Sequence, residues 1–276
     1  MKRLLLVFIL VSKCALQAVA TTPIVINNWA GLLASSNPTS VNPGRVTKVS
    51  GTFVVPTLNL NSTNYSQVSI WLGMDGHLPF GSNTVEQIGI TSQLINGQQQ
   101  NSAWLEMYPY QPITLDINVN DGDTIETSVE YLENFTPNDT DNYSQYFPGY
   151  GQYITYAPYN APSNYSNFYK FKFNNLSVQQ SQTIFVNTSG SAWAPVNNQL
   201  VGAKRNSAEW MVEGYPGQFA NFGTVTFSDI QVTFDNGNNI TYNTANMSPS
   251  MNASGPFLAT AGPFANNSIA IDWSKS

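Results

Sequence analysis

Apolar residues in this chain recur at every second position over short runs, and almost nowhere at the three-to-four spacing of an amphipathic helix. Residues 46–55 read Val-Thr-Lys-Val-Ser-Gly-Thr-Phe-Val-Val, a strand that Pro56 stops. Similar runs, rich in Val, Ile, Thr, Tyr and Phe, predict strands over 68–74, 84–90, 103–108, 168–174, 183–186, 209–212, 224–227, 230–234, 240–242 and 269–273. Residues 24–33 read as an edge strand with Trp29 tucked inward. Residues 113–119 and 124–131 read as a hairpin about Asn120-Asp121-Gly122-Asp123. Turn-forming Gly, Pro and Asn fill the gaps, including 94–100 around Asn96-Gly97 and the polar loop 59–66. The expectation is an all-β fold, a sandwich of two antiparallel sheets of lectin-like shape.

Two stretches break the rhythm. Residues 132–166 are dense in Tyr, Asn, Pro and Gly, with a hairpin expected around Gly149-Tyr150-Gly151. A connection this long reads as an insertion, and it is expected to cover one end of the sandwich. Residues 244–267 are rich in Ser, Asn, Ala, Pro and Gly and are expected to be irregular. Residues 1–20 have the pattern of a secretory signal: Lys2 and Arg3, an apolar run from 4 to 11, and Ala18-Val19-Ala20 before the cut. The remaining 21–276 read as one domain, with no later apolar stretch that would hold it in a membrane.

Composition narrows the partners. Charged residues are 9% of the 276, against roughly 25% in an average domain, so neutral polar groups must keep the chain soluble. That surface changes little between neutral and acidic pH. A net charge of −6 argues against nucleic acid. The single cysteine, Cys14, lies inside the signal, so the mature chain has no disulfide. Twelve Asn-x-Ser/Thr sequons, among them Asn61, Asn134, Asn142, Asn187 and Asn252, would make an exported chain a candidate glycoprotein.

Composition also excludes most catalytic chemistries. His77 is the only histidine and no Gly-x-Ser-x-Gly elbow accompanies it, which disfavours a Ser-His-Asp triad. A thiol nucleophile leaves with Cys14. No His and Cys cluster suits zinc, and no phosphate-binding loop precedes a helix. Asp121 and Asp123 fit a turn better than a calcium site. No metal and no organic cofactor is expected. What remains is carboxylates, amides and aromatics on alternating positions: Trp71, Gly73 and Asp75; Val85, Gln87 and Gly89, with Glu86 on the other face; Trp104, Glu106 and Tyr108; Glu209, Met211 and Glu213. Such faces, with a glycine leaving room for a ligand, fit a binding groove and a plain polar exterior equally well. Alternation alone does not separate Glu209 from Glu213.

The order of certain motifs does. Asn28-Trp29-Ala30-Gly31, Gly51-Thr52-Phe53, Trp71-x-Gly73-x-Asp75-Gly76, Gln87-x-Gly89, Ala103-Trp104-x-Glu106-x-Tyr108-Pro109, Ala208-Glu209-Trp210-x-Val212-Glu213 and Phe222-Gly223-x-Val225-x-Phe227 follow one another in this chain. This order resembles the glutamic peptidases (eqolisins, the scytalidopepsin B family) over roughly residues 27–235, with 236–276 only loosely similar. The resemblance implies a secreted, acid-active endopeptidase that pepstatin does not inhibit, working on protein and peptide substrates as a monomer. It places the catalytic glutamine on Gln87 and the catalytic glutamate on Glu209. Trp29, Trp71, Asp75, Trp104, Glu106, Tyr108 and Glu213 become groove or supporting residues. Glu209 would act as base and then acid, Gln87 would hold the water and the oxyanion, and Asp75 and Glu106 would support them. A base must be ionised, so the expectation is a Glu209 carboxyl not strongly raised in pKa. Thr91 and Ser102 stand where better-known members have Asp. The disulfides of fungal members are missing, and the first motif follows Ala20 too closely for a pro-segment. The rival reading is a non-catalytic lectin-like sandwich that binds glycan or protein at the cell surface. It would not require both Gln87 and Glu209.

Overall fold

The computed structural model describes residues 23–36, 44–59, 65–77, 84–133, 143–146, 153–156, 167–187, 194–196, 199–201, 203–214, 218–236, 240–248 and 257–274. These residues carry strands and no helix. The inner sheet contains β1 (Ile24–Ile26), β2 (Trp29–Ser36), β4 (Tyr65–Met74), β5 (Val85–Ile95), β6 (Gln98–Tyr108), β7 (Ile113–Thr114), β15 (Ser207–Gly214) and β17 (Ile240–Met247). Their order is β7-β6-β5-β4-β15-β2-β17-β1, antiparallel except for the last pair. The outer sheet contains β3 (Val46–Val54), β8 (Thr124–Glu133), β11 (Asn167–Asn175), β12 (Gln180–Asn187), β16 (Thr224–Phe234), β18 (Ala259–Ala261) and β19 (Ile269–Trp273), in the order β12-β11-β8-β3-β16-β19-β18. One pairing, Met247 with Ala259, joins the two sheets at a corner. The expected sandwich is therefore present, built as one sheet that curls over itself.

The main core lies between the sheets. Leu32, Leu72, Ile88, Leu105 and Trp210 enter it from the inner sheet, and Val49, Phe53, Val129, Phe171, Phe173 and Phe227 from the outer. At roughly 1.5–3 kcal/mol for each fully buried large side chain, this layer is the main source of stability in a chain whose one cysteine, Cys14, allows no disulfide within it. Trp210 pins the layers together. Its indole nitrogen donates to the Ser50 carbonyl at 3.0 Å, and Gly51 leaves the space, since a Cβ there would meet that nitrogen at 3.0 Å.

Several boundaries differ from the sequence reading. β2 is no edge strand: β15 and β17 flank it, and nearly all of it is buried because apolar or small residues occupy both of its faces. The 94–100 connection shrinks to the two-residue turn Asn96-Gly97, both at positive φ (51 and 78), and β5 and β6 run to its edges. Residues 113–119 do not form a hairpin with 124–131. The turn exists, with Asp123 accepting the Asn120 N–H at 2.8 Å, but both edges of β8 are already taken by β3 and β11. Asn175 also donates to Asp123, at 2.7 Å, which accounts for that acid without a cation. The expected pair of strands at 224–227 and 230–234 is one strand, with a register shift where Asp229 sits at φ 50. Within 132–166, β9 (Tyr143–Tyr146) and β10 (Tyr153–Tyr156) form the expected hairpin, and β9 adds to the free edge of β12. Whether the rest of that stretch covers one end of the sandwich lies outside the described residues, as do residues 1–20 and most sequons.

Candidate active site

Register puts the carboxylates and the amide in one row on the outer face of the inner sheet. Glu209 pairs with Gly73, Gly73 with Gln87, and Gln87 with Glu106. Directly paired residues point to the same face, so all three side chains rise on one side of four adjacent strands. Gly73 stands between Glu209 and Gln87 and contributes no side chain. The Cα atoms of those two are two strand spacings apart, about 9.5 Å, and their long side chains lean toward each other over the glycine. A Cβ at Gly73 would meet the Glu86 carbonyl at 2.8 Å and the Gln87 Cβ at 3.0 Å.

The amide is oriented. Gln87 Nε2 donates to Glu106 Oε2 at 2.6 Å, which leaves Gln87 Oε1 buried with no partner among the described residues. That oxygen is available to accept a hydrogen bond from water, and the second amide N–H to donate to an oxyanion. Both Glu209 oxygens are likewise buried and without a hydrogen-bond partner among the described residues. Ser207 lies close enough to favour the charged form of Glu209, though not in hydrogen-bond geometry.

Burial governs the protonation of these acids. It raises the Glu209 carboxyl well above the ordinary glutamate range, and Asp75 adds to the effect. The expectation of a weakly perturbed Glu209 is therefore overturned: the carboxyl is wholly enclosed, at 0% exposure, and loses the solvation its anion needs. Glu106 is raised to about 7, chiefly by burial and then by the charge of Glu213, against the pull of its Gln87 bond.

The next rows form an aromatic floor. Met211, Trp71, Gly89 and Trp104 stand side by side, followed by Glu213, Ser69, Thr91 and Ser102. Trp71, Trp104, Met211, Leu33, Val85 and Ala245 make a second apolar cluster on this face, with Trp29 packed edge-on to Trp71 at 5.0 Å. Glu213 ties the floor down by accepting from Trp71 Nε1 at 3.0 Å and from Asn28 at 2.9 Å. Its pKa is raised by burial in spite of these bonds and of the neighbouring Trp29 indole. Thr91 accepts from Trp104 Nε1 at 2.9 Å and shares a hydrogen bond of 2.9 Å with Ser69, so a neutral hydroxyl holds that indole. Gly89 leaves no room for a ligand: a Cβ there would strike the Ile70 carbonyl at 2.2 Å and the Trp71 Cβ at 2.6 Å. The glycine accommodates Trp71.

Asp75 stands apart. It is buried at the end of β4, at φ 64, and its carboxylate accepts the backbone N–H groups of Lys204 and Arg205 at 2.7 Å each and of Asn206 at 3.0 Å. Its own N–H donates to Ser207 O. It clamps the approach to β15, which carries Glu209. Tyr108 is 48% exposed, in the row beyond Gln87, where it pairs with Val85. Sequence reasoning passed over Gly73 as the gap between Glu209 and Gln87, and Arg205 altogether. The register of β4 between β5 and β15 is what reveals the first.

Gly73→Val is expected to lower kcat/KM about 100-fold or more, because a side chain between Glu209 and Gln87 displaces both from a shared water. Steady-state kinetics at unchanged far-ultraviolet dichroism checks this.

Comparison with known proteins agrees with the fold. A family model described as the Peptidase A4 family matches residues 27–138 and 166–273. Among solved structures, the fold is similar to scytalido-glutamic peptidase, solved with a peptide-based transition state analog, at a TM-score of 0.60 and 18% identity, covering 91% of this chain and 100% of that one. It is also similar to SCP-B, described as a member of the eqolisin family and solved with the tripeptide Ala-Ile-His, at 0.58 and 17%, with the same 91% and 100% coverage. No curated protein matches the sequence. By the family match, the chain belongs to the Peptidase A4 family, the glutamic-type endopeptidases whose motifs it carries in order.

Proposed function

We propose that the chain is a secreted endopeptidase that cleaves proteins in acid through the pair Gln87 and Glu209, without metal or organic cofactor and without sensitivity to pepstatin. The observation that carries this reading is the row Glu209-Gly73-Gln87-Glu106, in which a free carboxyl faces an amide held by one hydrogen bond.

Burial keeps Glu209 neutral over much of the acid range, and a neutral carboxyl can serve as acid and base in one step. Its O–H gives a proton to the scissile carbonyl oxygen while its other oxygen takes one from the attacking water, leaving a neutral tetrahedral diol. Gln87 Oε1 accepts from that water, and its free N–H donates to the oxygen that develops charge, an interaction typically worth about 3 kcal/mol. In the second step Glu209 protonates the departing nitrogen and recovers a proton from the diol, so that acid and amine separate. Of the aromatics Trp71, Trp104 and Tyr108, the exposed Tyr108 is the one placed to meet an apolar substrate side chain.

The export reading rests on the pattern of residues 1–20. Glycosylation fits only some of the sequons. Asn175 is buried and bonded to Asn118 and Asp123, and Asn246 is buried and bonded to Ala261, whereas Asn266 is exposed in a turn. The molecule is read as a monomer acting on protein and peptide substrates.

Digestion of haemoglobin near pH 3, with pepstatin present, tests the reading. Purified chain is expected to release acid-soluble peptides at the same rate with and without the inhibitor. No release, or release that pepstatin stops, would remove it.

A further inference from the structure

Glu86 is an acid that this reaction leaves unused. It precedes Gln87, so its side chain leaves β5 on the opposite face and enters the main core. Its cross-strand row is Ala208, Met74 and Met107, all wholly buried. Glu86 is itself at 0% exposure, and neither of its carboxyl oxygens has a hydrogen-bond partner among the described residues.

The groups that act on it come from every neighbouring element. Asp75 at the end of β4 and Glu209 on β15 both oppose a negative charge there, while Thr84 and Arg205 favour one. Arg205 is already engaged: its guanidinium lies over the Tyr131 ring at 3.7 Å and donates to the Val46 carbonyl at 3.2 Å. Tyr169 on β11 is wholly buried and within the field of both Glu86 and Asp75. Burial first, then Asp75, raise the Glu86 carboxyl well above its ordinary range. A carboxylate so placed is shut away from bulk solvent, with Thr84 and the already engaged Arg205 as the groups that favour its charge.

We propose that Glu86 is a proton-holding residue that confines the folded, active state to acid: it stays neutral while the enzyme works, and its ionisation opens the core directly behind Gln87. Relief of the charge requires solvent, and solvent reaches Glu86 only if β5 shifts. The same strand carries Gln87 on its other face. Stability and the placement of the catalytic amide are thus lost together as pH rises.

The sign follows from linkage. Unfolded Glu86 titrates near 4.5, and the folded state holds the proton more tightly. Below that value both states are protonated and the stability is complete. Above it the unfolded state alone releases the proton, and the folding constant falls about tenfold per pH unit for this one group, until the folded-state value is passed. Glu209, Glu213 and Glu106 have the same sign, so the variant must be read as a difference in slope.

This inference deepens the acid-activity reading and rests on it for its consequence. Its test is the dependence of the unfolding constant on pH, between about pH 5 and pH 7, for wild type and Glu86→Gln. The slope is expected to fall by one proton, with haemoglobin cleavage near pH 3 within about twofold of wild type and persisting to higher pH. Glu86→Met, which adds no donors to the core, is expected to lose the same proton. An unchanged slope in both variants would overturn the proposal, and so would a folded Glu86→Gln protein inactive in acid. Failure of the Gln87 and Glu209 reading has a different signature: wild type would cleave nothing, while the one-proton difference would remain.

Discussion

Glu209→Gln is expected to lower kcat by about 10³- to 10⁴-fold while leaving the fold as stable as wild type in acid. The substitution replaces a neutral carboxyl with a neutral amide of the same shape, at a site where burial already suppresses the charge. Packing on Gly73 is retained, but no proton can be taken or given. The stability of the two proteins should then diverge with pH. In wild type the raised Glu209 contributes stability that is complete below the ordinary range near 4.5 and is lost as pH rises through the folded-state value. The amide removes that loss, so the melting temperature of the variant should exceed that of wild type toward neutral pH. Glu106, raised to about 7, titrates toward the top of that range in both proteins, so the effect of Glu209 is read as the difference between them. An active variant would end the role given to Glu209. An inactive variant with a lowered melting temperature in acid would show a merely structural one.

Alternation was enough to read the sandwich, because strands with one buried face write a period of two into the sequence. It failed where both faces are buried. β2 looked like an edge strand, yet Leu33 packs with the aromatic floor while Leu32 and Ala34 enter the main core. The hairpin at 113–131 failed for another reason: a local turn signal says nothing about which partners compete for a strand, and β8 finds better ones in β3 and β11. The site was legible as a set of residues sharing alternating faces, and motif order was what selected Glu209 over Glu213. The neighbours in space were not legible. Gly73 as the gap between the two functional side chains follows from register across three strands, which periodicity along one strand cannot supply. The same holds for Glu86. Alternation put it on the face opposite Gln87 and said no more, because Asp75, Arg205 and Tyr169 around it come from distant parts of the chain.

Asp75 separates the sequence reading from the structural one most sharply. Alternation put it on one face with Trp71 and Gly73, and the family resemblance made it a support for catalysis. Its carboxylate is instead spent on three backbone N–H groups of residues 204–206. Asp75→Ala leaves those three backbone donors without their acceptor, a loss of roughly 3–5 kcal/mol at about 1–3 kcal/mol for each buried donor left unsatisfied. In a domain of this size that lowers the melting temperature by about 10 °C or more. Asp75→Asn keeps one carbonyl oxygen but turns an N–H group toward other N–H groups, so it should fall between wild type and Ala. Activity per folded molecule should fall less than stability, because Asp75 bears on Glu209 mainly by holding the segment that leads into β15, with its charge a lesser influence on that carboxyl. Thermal melts paired with active-site titration at a temperature where each variant is folded distinguish the two roles. If Asp75→Ala melts like wild type and is inactive, the carboxylate belongs to the catalytic machinery after all. If activity per folded molecule survives while the melt collapses, Asp75 is the strut that keeps Glu209 opposite Gln87.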